Sequence, residues 1–141
     1  MNKTNPTSST IFYFSGTGNA EKISHWIAQG FQENKIQTRV IKITDLNRNE
    51  IENNSSIIGF CSPTHGFNMP PVMLNFLLRF PSGNGQKVFI VNTRAGMKMG
   101  KIFLPGLSGI AQLFSALILL IKGYKIIGMK PIDMPSNWLS I

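Results

Sequence analysis

The stretch that decides the fold is Ile11-Phe12-Tyr13-Phe14-Ser15-Gly16-Thr17-Gly18-Asn19. Four apolar residues suited to a buried strand run straight into a short loop of hydroxyls and glycines. A helical pattern then begins at Ala20. Two glycines let the backbone turn sharply and approach a ligand closely. The unpaired N–H groups of a first helical turn, and the positive end of its dipole, make an anion site. Ser15 and Thr17 add hydroxyl donors, and Asn19 is the expected N-cap. No lysine lies inside the loop, so amides and hydroxyls would hold the anion.

Two common phosphate loops are excluded by reading. The nucleoside triphosphate loop ends in Gly-Lys-Ser/Thr, where this chain has Ala20-Glu21-Lys22. The dinucleotide fingerprint needs a third glycine where Glu21 stands.

Outward from the loop, Ala20, Ile23, Ile27 and Phe31 recur at helical spacing and would cover a sheet. Trp26 is expected in the helix–sheet packing, and His25 on the helix surface without chemistry. Thr38 to Ile43 is a β-rich run. Asp45 to Ser56 is a polar helix or loop. Ile57 to Cys61 and Lys87 to Asn92 are apolar runs without alternation, the pattern of strands covered on both faces. Between them Pro71 opens a helix from Val72 to Arg79. Leu107 to Lys122 is expected as a helix stopped by Gly123, and Tyr124 to Asp133 as the last strand.

Strands alternating with helices imply a parallel doubly wound α/β sheet with right-handed crossovers. Ligands of such sheets sit outside the carboxyl ends of the strands, where the strand order reverses. The loops after strands one, three and four are therefore expected at one edge. These are Ser15–Asn19, Ser62–Met69 and Thr93–Gly100.

With these three loops, Ser15-Gly16-Thr17-Gly18-Asn19 directly after the first strand resembles the FMN-phosphate loop of flavodoxins. It departs at Ala20, where many flavodoxins carry Thr. The resemblance covers Ile11 to about Asp133. It is nearest to bacterial flavodoxin-like domains that begin Tyr-Phe-Ser-Gly-Thr-Gly-Asn and carry a Ser-Pro…Gly…Pro loop after strand three. Some of those are fused to ferredoxin-type iron–sulfur domains. It implies a flavodoxin-like sheet of strand order 2-1-3-4-5, its last helix missing or truncated, because only Met134 to Ile141 follow the last strand. It also implies non-covalent FMN and an electron-transfer role. Ser15, Gly16, Thr17, Gly18, Asn19 and Ala20 would bind the phosphate. Pro63, Thr64, His65, Gly66, Phe67 and Asn68 on one side, and Asn92, Thr93, Arg94, Ala95 and Gly96 on the other, would flank the ring. His65 or Phe67 would wall its face, and the Gly66 peptide would reorient as the flavin gains a proton. The alternatives are an NAD(P)H-dependent flavin or quinone reductase, or an interaction module of this fold without FMN.

The 141 residues make one domain. Met1 to Ser9 is polar and without an apolar core, so residues 1–10 are read as a frayed, disordered tail, and the folded domain is expected over residues 11–141. The single Cys61 lacks Cys or His neighbours and cannot close an internal disulfide, which points to the reducing cytoplasm. The chain carries a net charge of +8, unevenly spread. Met1 to Glu52 holds six Lys/Arg and five Asp/Glu, whereas Asn53 to Ile141 holds eight Lys/Arg and only Asp133. Arg94, Lys98 and Lys101 would make a basic rim at the flavin edge, suited to an acidic ferredoxin-like redox partner or to the phosphates of NAD(P)H. No recognition helix or basic run interleaved with aromatics points to nucleic acid. Phe103 to Ile121 has no charged residue and reaches the length of a membrane span. A helix packed on the sheet is preferred, because a span would uncover it, and the apolar helix 107–122 is a candidate for contact with a second copy.

Overall fold

A computed structural model describes residues 7–15, 18–46, 51, 54–63, 71–96 and 115–135, with side chains of 94–96 and 130–135 not described. Five strands form one sheet: β1 (Ser8–Tyr13), β2 (Gln37–Lys42), β3 (Ile57–Pro63), β4 (Lys87–Gly96) and β5 (Lys125–Pro135). Their order is β2-β1-β3-β4-β5, and every pairing is parallel. The expected 2-1-3-4-5 order is the one observed. Chain order steps outward from β1 to β2, then crosses back to β3, so the switch point lies between β1 and β3.

Parallel pairing needs crossovers, and helices supply them. α1 (Asn19–Glu33) joins β1 to β2, and α2 (Pro71–Arg79) joins β3 to β4. A third helix, α3, is described over residues 115–121 and leads into β5. Residues 136–141, where the last helix was expected to be missing or cut short, lie outside the described residues.

Side chains alternate across each strand, so the sheet has two cores. On one face Phe12, Phe60 and Ile90 meet Met73, Phe76, Leu77 and Phe80 of the α2 region and Leu119 of α3. Four phenylalanines interlock there. Phe12 stands 5.2 Å from Phe76 and 5.3 Å from Phe80 by ring centroid, and Phe60 stands 5.2 Å from Phe80. Edge-on and tilted contacts of this kind add to burial energy. On the other face Ile11, Tyr13, Cys61 and Val91 are covered by Ala20, Ile23 and Ala28 of α1.

Several boundaries differ from the sequence expectation. β1 starts at Ser8, so three residues assigned to the polar tail (1–10) belong to the sheet. Ser8, Ser9 and Thr10 pair with Gln37, Thr38 and Arg39, and Thr10 Oγ1 meets Ser55 Oγ at 2.6 Å. Backbone pairing and side-chain bonding, rather than apolar character, hold this end. β4 runs on to Gly96, where a loop was expected from Thr93. Its partners Ile132 to Pro135 extend β5 alongside it. β3 likewise includes Ser62 and Pro63. Of the polar stretch from Asp45, the described part is a 3-10 turn at Ile43–Asp45 and a bend at Ser55 and Ser56 that leads into β3.

Trp26 is not in the helix–sheet packing; it is 56% exposed. The buried arc of α1 is Ala20, Ile23, Ser24 and Ala28. At 100° per residue Trp26 falls roughly a third of a turn from the centre of that arc. Ser24 is buried because its hydroxyl donates to the Ala20 carbonyl at 2.7 Å, which leaves no polar group unpaired.

Candidate functional site

The site begins where β1 ends. The Phe14 amide donates to the Cys61 carbonyl at 3.0 Å, which carries the β1–β3 pairing one residue past Tyr13. Ser15 therefore leaves the sheet at the switch point. The helix that follows is capped not by Asn19, as expected, but by Gly18. Gly18 has φ 97° and ψ −9°, a left-handed conformation that glycine adopts freely, and Asn19 is already the first helical residue. The Gly18 amide donates to Ser15 Oγ at 2.8 Å, closing the loop on itself. The Ser15 oxygen is thus engaged as an acceptor while its own hydrogen is still a donor.

The first intrahelical bond runs from the Lys22 amide to the Gly18 carbonyl at 3.0 Å. Among the described residues no side chain caps the helix start. The amides of Asn19, Ala20 and Glu21 precede that first bond and have no acceptor within the helix. A 15-residue helix thus offers an uncapped, positively polarised end at the carboxyl edge of the sheet. Gly16 and Thr17, the middle of this loop, lie outside the described residues.

The register brings the strand ends that bear the other two predicted loops to the same edge. Tyr13 pairs with Cys61 and Pro63 pairs with Thr93, so the chain leaves β1, β3 and β4 side by side. Pro63 is the last residue of β3. Thr64, His65, Gly66, Phe67 and Asn68 lie outside the described residues. Asn92 and Thr93 are buried inside β4, and Arg94, Ala95 and Gly96 form its last three positions. Asn92 Nδ2 reaches Ser62 Oγ at 3.4 Å across the strand pair. Asn92 Oδ1 is buried with no partner. These two side chains tie β3 to β4 one residue before β3 ends, on the face that carries the phenylalanine core.

Two features of the site were not read from the sequence. Tyr13, at the foot of the loop, is buried and hydrogen-bonds to Glu21 in the first turn of α1. Burial first, then the Glu21 carboxylate and Asp45, raise its pKa above the ordinary tyrosine value. The alternation of β1 puts Tyr13 on the α1 face, which is the signal that would have found the contact. Glu21 also lies 4.0 Å from His25, and the His25 ring stands edge-on to Tyr13 with centroids 6.4 Å apart. The second feature is Cys61, fully buried beside Ser24, whose thiol is pushed up to about 11 by burial. A protonated, inaccessible thiol is neither a nucleophile nor a metal ligand.

Sequence comparison matches the flavodoxin family over residues 11–105, about two thirds of the chain. A flavodoxin of Clostridium beijerinckii is 40% identical over 52 residues, 37% of this chain and 38% of that protein. The alignment thus spans well under half the length of that curated relative. Among solved structures, a Streptococcus pneumoniae flavodoxin superposes with a TM-score of 0.74 at 17% identity, covering 94% of this chain and 89% of that one. Oxidised flavodoxin 1 of Bacillus cereus superposes at 0.72 and 18% identity, covering 94% and 88%. The flavodiiron core from Synechocystis gives 0.71 at 18% identity, with 92% of this chain lying on 31% of that one. Structural likeness at such identities speaks to the fold alone.

Proposed function

This chain belongs to the flavodoxin family, and from that premise we propose that it is an electron-transfer domain holding FMN non-covalently at the carboxyl edge of β1, β3 and β4. Proteins of this family bind FMN. The observation that carries the reading is the uncapped start of α1, set by a left-handed Gly18 at the switch point of the sheet. The residues fit a phosphate monoester: helix-start amides without an intrahelical acceptor, a serine hydrogen still available and, among the described residues, no side-chain cap. A Cβ added at Gly18 would meet nothing within 4 Å, so the space beside that residue is open.

FMN, when bound, supplies the one- and two-electron chemistry. The protein does the rest. Ser15, Gly16, Thr17 and Gly18, with the amides of Asn19 and Ala20, would hold the phosphate. The loop that follows Pro63 and the end of β4 from Asn92 to Gly96 would flank the ring and shield it from water. The buried Asn92–Ser62 pair ties those two segments together. Tyr13 holds the Glu21 carboxylate at the first turn of α1.

The partner side of this reading is an acidic redox protein of the ferredoxin type, in the cytoplasm. Its support is charge. Asp133 is the only acid after Glu52, and it pairs in register with Arg94. Lys98 and Lys101, the other cations named for the rim, lie outside the described residues. Purified protein titrated with FMN and then mixed with NADPH tests the whole reading. A yellow complex that NADPH alone reduces slowly, and a reduced partner reduces fast, supports a carrier. Fast direct reduction by NADPH would make it a reductase, and no binding of FMN would end the proposal.

A further inference from the structure

Glu21 is the third residue of α1, three positions after the Gly18 cap. A glutamate at that position ordinarily folds its carboxylate back onto the first backbone amides of its own helix. Here it does not. Among the described residues no side chain caps the helix start, and the Gly18 amide donates to Ser15 Oγ at 2.8 Å instead. The Glu21 carboxylate is drawn aside. Tyr13, the last residue of β1, donates its phenolic O–H to it. His25, one turn further along α1, brings Nε2 to 4.0 Å from Glu21 Oε2, and its ring stands edge-on to Tyr13.

The amides that Glu21 leaves alone are the ones an anion at this loop needs. A carboxylate and a phosphate monoester both present acceptor oxygens and negative charge, and the same helix end stabilises both. We propose that Glu21 is a built-in competitor for the phosphate, and that Tyr13 is the positioning residue that holds it off and keeps the start of α1 open to FMN. The inference rests on the loop after β1 being the phosphate site. It adds what stops that site from binding its own side chain.

Burial decides which tether matters. The Glu21 and His25 side chains are 51% and 59% exposed, and an exposed pair four residues apart on a helix shifts an equilibrium only about twofold. Tyr13 is buried in the core beneath α1, packed with Ile11, Ala20 and Ile23. Its ring cannot follow the carboxylate, so its hydroxyl is a fixed anchor at the foot of the loop. Without that hydroxyl, rotation of the Glu21 side chain brings the carboxylate to the amides of Asn19 and Ala20, or in competition with Ser15 for that of Gly18. Each of these moves sets a negative charge where the phosphate must sit.

Titration of the full chain with FMN and with riboflavin, which has the ring and lacks the phosphate, tests it in four proteins. Tyr13→Phe keeps the ring in the core. It is expected to weaken FMN about fivefold and to change riboflavin less than about twofold. Glu21→Gln keeps the shape and loses the charge, and should bind FMN at least as tightly as the parent. Added to Tyr13→Phe, it should restore FMN affinity to within about twofold of the parent. An equal fall for both flavins in Tyr13→Phe overturns the proposal, since that is what a merely structural tyrosine would give. So does a fall in FMN affinity that persists in the double variant, or weaker FMN binding by Glu21→Gln alone. That last comparison decides even if Tyr13→Phe lowers the denaturation midpoint, because the Glu21 side chain is half exposed. Equal affinity of the parent for the two flavins is a different failure: it removes the phosphate site itself, and the competitor with it.

Discussion

The amide of Gly18 donates to Ser15 Oγ at 2.8 Å, and this one bond ties the end of the first strand to the start of the first helix. It forms because Gly18 takes a left-handed conformation that points its amide back along the loop. Any other residue there meets backbone strain rather than a clash, since the space around an added Cβ is empty. Gly18→Ala is expected to cost about 1–2 kcal/mol of stability. It should weaken FMN binding as well, because the first-turn amides would be re-aimed. Urea denaturation and an FMN titration of the same variant check both.

Asn92 and Ser62 make a different kind of prediction. Asn92 Oδ1 is buried without a partner, and a buried unsatisfied acceptor costs about 1–3 kcal/mol. Replacing both members with apolar groups, Asn92→Leu with Ser62→Ala, removes that penalty. The double variant should therefore be as stable as the parent or more so, whereas Ser62→Ala alone should be less stable. If the pair also sets the spacing of the flanking loops, the stabilised double variant should bind FMN more weakly. Melting temperatures and titrations of the three proteins separate the two effects.

The Cys61 thiol gives a pH signature. Its folded pKa is raised to about 11, so the folded state holds the proton more tightly than the unfolded chain does. The contribution is complete below the ordinary thiol pKa and is lost as the pH climbs through about 11. A two-unit rise corresponds to at most about 2.7 kcal/mol. The stability gap between the parent and Cys61→Ala should therefore narrow between pH 9 and 11 and stay constant from pH 6 to 8. A thiol reagent should leave the native protein untouched and label it on unfolding.

Gly59 and Phe89 face each other across β3 and β4, and the Phe89 ring lies on bare backbone. A Cβ on Gly59 would come within 2.1 Å of Phe89 Cζ. The ring cannot swing away freely, since Phe31 of α1 packs edge-on against it with centroids 5.9 Å apart. Gly59→Ala is expected to cost about 1–3 kcal/mol. In the background of Phe89→Ala the same change should cost much less, and a double-mutant cycle by urea denaturation measures the coupling.

How much of this was legible in the chain depends on range. The parallel sheet was legible because Ile57 to Cys61 and Val88 to Val91 are apolar without a break, the pattern of doubly covered strands, and its order was legible only through the resemblance that the loop after β1 carries. The helix start was legible to within one residue, because glycines and hydroxyls act locally. What was not legible rests on partners distant in sequence. Ser8 to Thr10 are polar and look like a tail until β2 pairs with them. Thr93 to Gly96 look like a loop until the end of β5 lies beside them. Trp26 was misplaced because its size suggested burial, while the small Ser24 and Ala28 hold the inner face. The three loops at the carboxyl edge were foreseen as neighbours, and register places the strand ends that bear them side by side.

The account turns on a helix end built to hold a phosphate. The most direct measurement compares FMN with riboflavin, which shares the ring and lacks that group, by fluorescence titration of the same protein. FMN should bind at least roughly a hundredfold more tightly, a difference of about 2.7 kcal/mol, and the advantage should shrink in Thr17→Val and Asn19→Ala. Equal affinities for the two flavins would contradict the assignment of the loop after β1.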